Sequence, residues 1–214
     1  INDEKLWPKA DIVFNEGTLR LGYNKKGSPH TRVRSLKIGQ AFSVPIMMYN
    51  RTTHEMAEAF SFNAGMCSLW PIGQKPEERP DSLKFIKFYH RYKQYQTRQS
   101  SLSQIGIFLE NESMTNSQLN TLMTLCSFTQ LLQEECLPFN LIYDKDLDRL
   151  DQYQLIVIAD MPCIKERQAA AISKWVRSGG SLLTIGSTGI RDDYFRLRRK
   201  IKSVKTLSDL YPST

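Results

Sequence analysis

A chain of 214 residues, 41% apolar and 24% charged, has the composition of an ordinary globular protein long enough to bury a core. Its net charge of +7 is moderate, and no apolar run reaches the roughly 20 residues that cross a bilayer. The chain opens on Ile1 rather than Met, and Ile1–Ala10 has no signal-peptide core, so it reads as a processed protein or, better, a piece of a longer one.

In chain order, Asp11-Ile12-Val13-Phe14 predicts a short strand ending at Asn15-Glu16-Gly17, followed by a glycine- and lysine-rich loop through Gly22, Lys25-Lys26-Gly27 and Ser28-Pro29. A helix is expected over Thr31 to Phe42, and a strand over Val44 to Tyr49 that ends in Asn50-Arg51. Thr53 is the expected N-cap of the next helix. Gly65 stops it, and Met66 to Trp70 forms a third strand. A polar loop leads to a helix from Leu83 to about Tyr95, with Leu83, Phe85, Ile86, Phe88, Tyr89 and Tyr92 on one broad face. Three βα units in a row suggest part of a parallel sheet or a (β/α)-barrel. The stretch TRQSSLS, residues 97–103, is the most linker-like, which divides the chain into residues 1–100 and 101–195, with a basic tail over 196–214.

The second part predicts a strand at Ile105 to Leu109, a long helix at Ser117 to Glu135, a strand at Phe139 to Tyr143 and a short acidic connection, DKDLDRL. Leu155-Ile156-Val157-Ile158 is a continuous apolar run, as in a strand covered on both faces. Lys165 to Ser178 switches to helical spacing, with Ala169, Ile172, Trp175 and Val176 on one face, and Gly179-Gly180 stops it. Ser181 to Gly186 is then a second buried strand, closing a right-handed βαβ unit. This order predicts a doubly wound, flavodoxin-like open sheet.

Cys67, Cys126, Cys136 and Cys163 form no CxxC pair, which fits neither a zinc site nor a disulfide framework. Among apolar neighbours Cys126 reads as a buried thiol, and Cys163, after a strand, as the exposed one. Residues 191–205 hold seven Lys or Arg against two Asp. That run is a solvated segment or one covering acidic groups elsewhere or, as the rival reading, a contact for nucleic acid or another acidic ligand.

The stretch DLDRLDQYQLIVIADMPCIKERQAAAISKWVRSGGSLLTIGSTGIRDDY resembles the trimerisation domain of family 42 β-galactosidases. The resemblance rests on Asp-Leu before a Tyr-x-Leu-Ile-Val strand, on Trp-Val-x-x-Gly-Gly-x-Leu and on Gly-x-x-Gly-x-Arg-Asp. It implies a class I glutamine amidotransferase-like fold over roughly residues 104–195. Residues 1–100 resemble, more weakly, the last three units of the preceding barrel, so that five units are lacking. It also implies self-association, a trimer among the options, and carbohydrate as the substrate of an intact parent.

Amidotransferase chemistry needs a nucleophile, a histidine base and a carboxylate. Ser187 occupies the elbow region, but His30, His54 and His90 all lie in the first part and Gly-x-Ser-x-Gly spacing is absent. Gly186 to Gly189 reads as a turn that needs glycine, with anion binding as the alternative. Glycoside hydrolysis needs two carboxylates at strand ends. Glu16 is the well-placed catalytic candidate, and Asn15, Asn50, Arg51 and Trp70 are candidate substrate-binding residues. The second strand ends in Asn50-Arg51 without the carboxylate the family would carry there. Glu55 and Glu58 read as solvated helix residues. No cofactor or metal is called for, and neither a membrane nor nucleic acid is the expected partner.

Overall fold

The computed structural model describes residues 9–15, 22–23, 29–30, 32–50, 52–62, 65–68, 80–96, 100–116, 118–192 and 194–198. They form two compact units that meet in sequence between residues 101 and 102.

The first unit contains β1 (Val13–Asn15), the two-stranded ribbon of β2 (Gly22–Tyr23) and β3 (Pro29–His30), then α1 (Val33–Phe42), β4 (Ile46–Asn50), α2 (Thr53–Ser61), β5 (Gly65–Ser68) and α3 (Pro80–Tyr92), which runs into a 3-10 turn, Lys93–Gln96. The ribbon is antiparallel and lies where the sequence reads as loop. β1, β4 and β5 form a parallel sheet in that order, as successive βα units do. Asn15 stands opposite Met48, and Asn50 opposite Ser68. In the central strand every second residue is buried, and Ile46 and Met48 pack with Leu36 and Ala59 under Phe62. Leu36, Ile46 and Met48 each contribute roughly 1.5–3 kcal/mol by leaving water.

α1 starts two residues later than its periodicity suggests, with Arg32 at its N-cap. The N-cap of α2 is Thr52, not Thr53. Thr52 Oγ1 accepts the Glu55 N–H at 3.2 Å, and Glu55 Oε2 accepts the Thr52 N–H at 3.2 Å. A capping box needs Glu three residues after the cap, a spacing that Thr52 has and Thr53 lacks.

The second unit contains β6 (Ile105–Phe108), α4 (Asn111–Asn116), α5 (Gln118–Glu134), β7 (Phe139–Ile142), a 3-10 segment (Asp144–Gln152), β8 (Leu155–Ala159), α6 (Glu166–Arg177) and β9 (Ser181–Ile185). Its four strands are parallel in the order β7-β6-β8-β9. Counted along the chain this is 2-1-3-4, the flavodoxin-like arrangement. The central strands are sealed: Ile107, Phe108, Ile156, Val157, Ile158 and Ala159 have no exposed surface. α6 ends as its two glycines predict. Gly179 takes φ +106°, and a Cβ on Gly180 would stand 2.2 Å from the Trp175 ring that packs over it.

Three expectations are corrected here. β9 ends the order of described strands and is half-exposed, with Leu183 at 40%, although its composition suggested a buried strand. The helix expected from Ser117 is preceded by a separate one, α4, too short to show a period. The cysteines exchange places. Cys126 is exposed, because the buried line of α5 runs through Thr121, Leu125, Thr129 and Leu132, one step round the helix from it. Cys163 is fully buried, and its thiol donates to the Asp192 carbonyl at 3.1 Å.

Candidate functional site

In a parallel α/β sheet, functional groups collect at the carboxyl ends of the strands. In the first unit those ends are Asn15, Asn50 and Ser68, brought side by side by the register. Asn15 is described in its backbone, while Glu16, Arg51 and Trp70 lie outside the described residues. Asn50 is fully buried. Its Nδ2 donates to the Met48 carbonyl at 2.9 Å, and its Oδ1 accepts from Arg32 Nη2 at 3.1 Å.

Arg32 organises this strand end, and nothing in the sequence marks it. Its side chain is 4% exposed, and Nε pairs with Glu58 Oε2 at 2.7 Å. Nη1 donates to the Tyr49 carbonyl at 2.8 Å, and Nη2 also to the Glu55 carbonyl at 2.7 Å. The Arg32 amide donates to Glu58 Oε1 at 2.9 Å. One planar fork therefore ties the entry of α1, the end of β4 and the start of α2. Glu55 and Glu58 are consequently not solvated: Glu55 is 3% exposed and the Glu58 side chain 10%.

Lys37, on the same helix as the buried Leu36 and Ile38, holds its Nζ 5.5 Å from the centre of the Phe62 ring. Burial pushes its ammonium from the ordinary 10.5 down to about 8. Between those values the unfolded chain binds the proton that the folded chain has released, so stability rises with pH there. Urea midpoints of the first unit are expected to climb between about pH 8 and 10.5. Lys37→Met should raise the midpoint at pH 7 and flatten that climb; an unchanged slope would contradict the assignment to Lys37.

In the second unit the order reverses between β6 and β8, and the crevice beyond their carboxyl ends is where such folds bind ligands. Here the protein's own charged and polar groups pair with one another. Glu110, just after β6, has a side chain with no exposed surface. Its Oε1 lies 3.2 Å from Lys165 Nζ, and its Oε2 accepts the Ser113 amide at 2.8 Å. Glu112 Oε1 is 3.7 Å from the same ammonium. Ser113 Oγ donates to the Cys163 carbonyl at 2.9 Å and accepts its amide at 2.8 Å. Asp144 pairs with Arg167 and accepts from Gln168 Nε2 at 3.0 Å. Glu110 Oε1, for all its closeness to the ammonium, and the neighbouring Asn111 Oδ1 are buried without a hydrogen-bond partner.

Asp160, at the end of β8, adopts φ +50° and accepts the Ser187 amide at 2.9 Å. The elbow candidate Ser187 is thus an exposed residue whose N–H already holds a carboxylate. Gly186 and Gly189 take φ of +65° and +72°, so the loop is a turn that needs glycine. Among the described residues no group of three or more His, Cys, Asp or Glu is placed to hold a metal, and no helix is long and apolar enough to cross a membrane.

Beyond this loop the described arginines of the basic run meet acceptors within the chain. Arg191 Nη1 donates to the Phe195 carbonyl at 2.8 Å, and Arg198 donates to the carbonyls of Arg191 and Ile164. Asp192 accepts the amides of Arg196 and Tyr194 and the Arg196 guanidinium. The Arg196 amide above all holds that carboxyl below its usual range. Ile190, Tyr194 and Leu197 are left outward, at 43%, 79% and 66% exposure. Residues 199–214 lie outside the described residues.

No protein-family model matches the chain, and no curated protein matches it in sequence. Its fold has counterparts among solved structures. A β-galactosidase from Bacillus circulans sp. alkalophilus aligns over 90% of this chain with a TM-score of 0.70 and 12% identity. Gan42B, a GH42 β-galactosidase from G. stearothermophilus, aligns over 84% with a TM-score of 0.53 and 16% identity. The cold-adapted β-galactosidase of Rahnella sp. R3 does so over 84% with 0.53 and 14%. The likeness is one of fold: a mixed α/β chain with parallel sheets, similar to GH42 β-galactosidases. This chain covers 35% of the first and 28% of each of the other two.

Proposed function

We propose that this chain is the C-terminal part of a glycoside hydrolase-like protein, and that its second, amidotransferase-like unit is non-catalytic and holds copies together. The observation that carries this is the segment from Ile190 to Leu197, whose arginines are spent on internal carbonyls and on Asp192 while Ile190, Tyr194 and Leu197 face outward. Half-exposed Leu183 in β9, and Met123 and Leu131 on α5, at 60% and 49%, add to the apolar surface of this unit. Apolar surface of this kind is what an association face presents. The switch-point crevice supports the non-catalytic half of the reading, since its charged groups are paired within the chain, Glu110 with Lys165 and Asp144 with Arg167. The double substitution Tyr194→Ser/Leu197→Ser is expected to shift sedimentation of the chain to the monomer with its far-UV dichroism intact. Retention of the wild-type sedimentation coefficient would exclude this segment as the contact.

A second reading concerns the intact parent: hydrolysis of β-galactosides or a related glycan, with Glu16 as a catalytic carboxylate and Asn15, Arg51 and Trp70 about the sugar, while Asn50, buried and held by Met48 and Arg32, fixes the strand end rather than touching substrate. The fold likeness to β-galactosidases favours it, and the adjacent strand ends of Asn15 and Asn50 suit it. The second carboxylate would come from upstream of this chain. In the intact parent, Glu16→Gln should lower kcat for a chromogenic β-galactoside by at least 100-fold with little change in fold. Wild-type turnover would remove Glu16 from the site.

A further inference from the structure

Beyond the ends of β8 and β9, Cys163, Arg191 and Leu197 form a short ladder of their own. Arg191 runs parallel to Cys163, its N–H donating to the Pro162 carbonyl at 2.8 Å, and Leu197 lies antiparallel beside Arg191. Phe195, at φ +62°, is the left-handed residue that closes a three-residue hairpin loop. The Asp192 N–H donates to the Arg196 carbonyl, and the Arg198 N–H to the Ile190 carbonyl, both at 2.9 Å. Those two bonds bracket the Arg191–Leu197 pair, so the N–H and C=O of Leu197 itself point away from Arg191. They meet no partner among the described residues, and Leu197 is 66% exposed. Leu197 is the outer edge of the ladder.

We infer that this edge pairs with the same edge of a second copy, Leu197 against Leu197, antiparallel across a twofold axis. The inference rests on the association reading and adds to it a geometry and a number, two. An unpaired strand edge is a template for another strand. A residue that turns both its donor and its acceptor outward is self-complementary, so two copies exchange two N–H···O=C bonds about the axis. The described edge is one residue long, because the Phe195 N–H donates to the Asp192 carbonyl at 2.9 Å and the Phe195 carbonyl accepts from Arg191 Nη1 at 2.8 Å. A foreign strand would find only that one pair, whereas a second copy also brings a matching set of exposed Ile190, Tyr194 and Leu197. The register sets Arg196 opposite the partner's Arg198, and free like charges there would oppose pairing. Here Arg196 Nε is held by Asp192 Oδ2 at 3.2 Å, and Arg198 donates to the carbonyls of Arg191 and Ile164.

Sedimentation equilibrium of the 214-residue chain is expected to give two chains per particle rather than three. Leu197→Pro removes the outward N–H, keeps an apolar ring and breaks no bond within the chain, since that N–H donates to none there. It should raise the dissociation constant about tenfold or more with the dichroism unchanged, while Leu197→Val, which keeps the donor, should stay within about threefold. Leu197→Cys should oxidise to a disulfide that joins position 197 of the two copies, read by peptide mapping. The paired Cα atoms would lie about 5.5 Å apart, inside the span of a disulfide. That readout holds even where Leu197→Pro disturbs the hairpin. A trimer, Leu197→Pro chains that associate like wild type, or disulfides that never join 197 to 197 would overturn the pairing and leave the apolar contact standing. A single chain at every concentration would remove the association reading and the pairing together. In that case a Leu197 amide protected from hydrogen exchange would assign the edge to the chain's own residues.

Discussion

Replacing Arg32 by methionine is expected to destabilise the first unit by about 3–5 kcal/mol, the cost of removing one partner from a buried ion pair. The substitution strands more than a charge. The Glu58 carboxylate loses its 2.7 Å partner, and the Tyr49 and Glu55 carbonyls lose the donors that reach them at 2.8 and 2.7 Å. Asn50 loses the contact to its Oδ1, so the end of β4 loosens where the candidate sugar site begins. Arg32→Lys should recover only part of the loss, because an ammonium cannot reproduce the fork that serves three elements at once. Arg32→Met/Glu58→Met should be milder than Arg32→Met alone, since it removes the stranded carboxylate as well. Hydrogen exchange over residues 32–62, followed by mass spectrometry, reads the unit directly. A loss below about 1 kcal/mol, the usual worth of an exposed pair, would show that the cluster is not a structural clamp.

The second large effect is expected at the crevice of the other unit. Lys165→Met should cost about 3 kcal/mol, because it leaves the Glu110 carboxylate in a site without exposed surface. Glu110→Gln in the same chain should restore more than half of that, since the amide oxygen still accepts the Ser113 N–H at 2.8 Å without carrying charge. The comparison separates the two uses of the crevice. If Glu110 and Lys165 lock the loop after β6 to the start of α6, the double substitution stays folded. If the pair is instead held ready for a ligand, Lys165→Met should stabilise the unit or leave it unchanged, because groups poised for function carry strain that substitution releases. Urea midpoints of the single and double variants decide between them.

Much of the second unit was legible in the sequence because local signals and tertiary structure agree there. The run from Leu155 to Ala159 has the continuous apolar character of a strand covered on both faces, and the flavodoxin-like order follows from the alternation of elements. The errors share one physical cause: periodicity reports which residues are apolar, not which of them the fold covers. α5 is apolar on more than one side, so its period did not orient Cys126, and β9 has a buried strand's composition at the end of the sheet. The candidate site was legible only as strand ends. Asn50 was found because it follows an apolar run, but the groups that fix it, Arg32 and Glu58, lie 18 and 8 residues away and meet only in three dimensions. Of the seven cations after Gly189, the described arginines serve backbone carbonyls and Asp192, pairings that no sequence pattern shows.

The central claim, that the second unit joins copies of the protein, is tested most directly by the solution mass of the 214-residue chain. Light scattering on a sizing column, over a hundredfold range of concentration and at low and high salt, should give a defined multiple of the chain mass of 24.7 kDa. An apolar contact predicts that the multiple persists at high salt. A mass of one chain at every concentration would contradict the account.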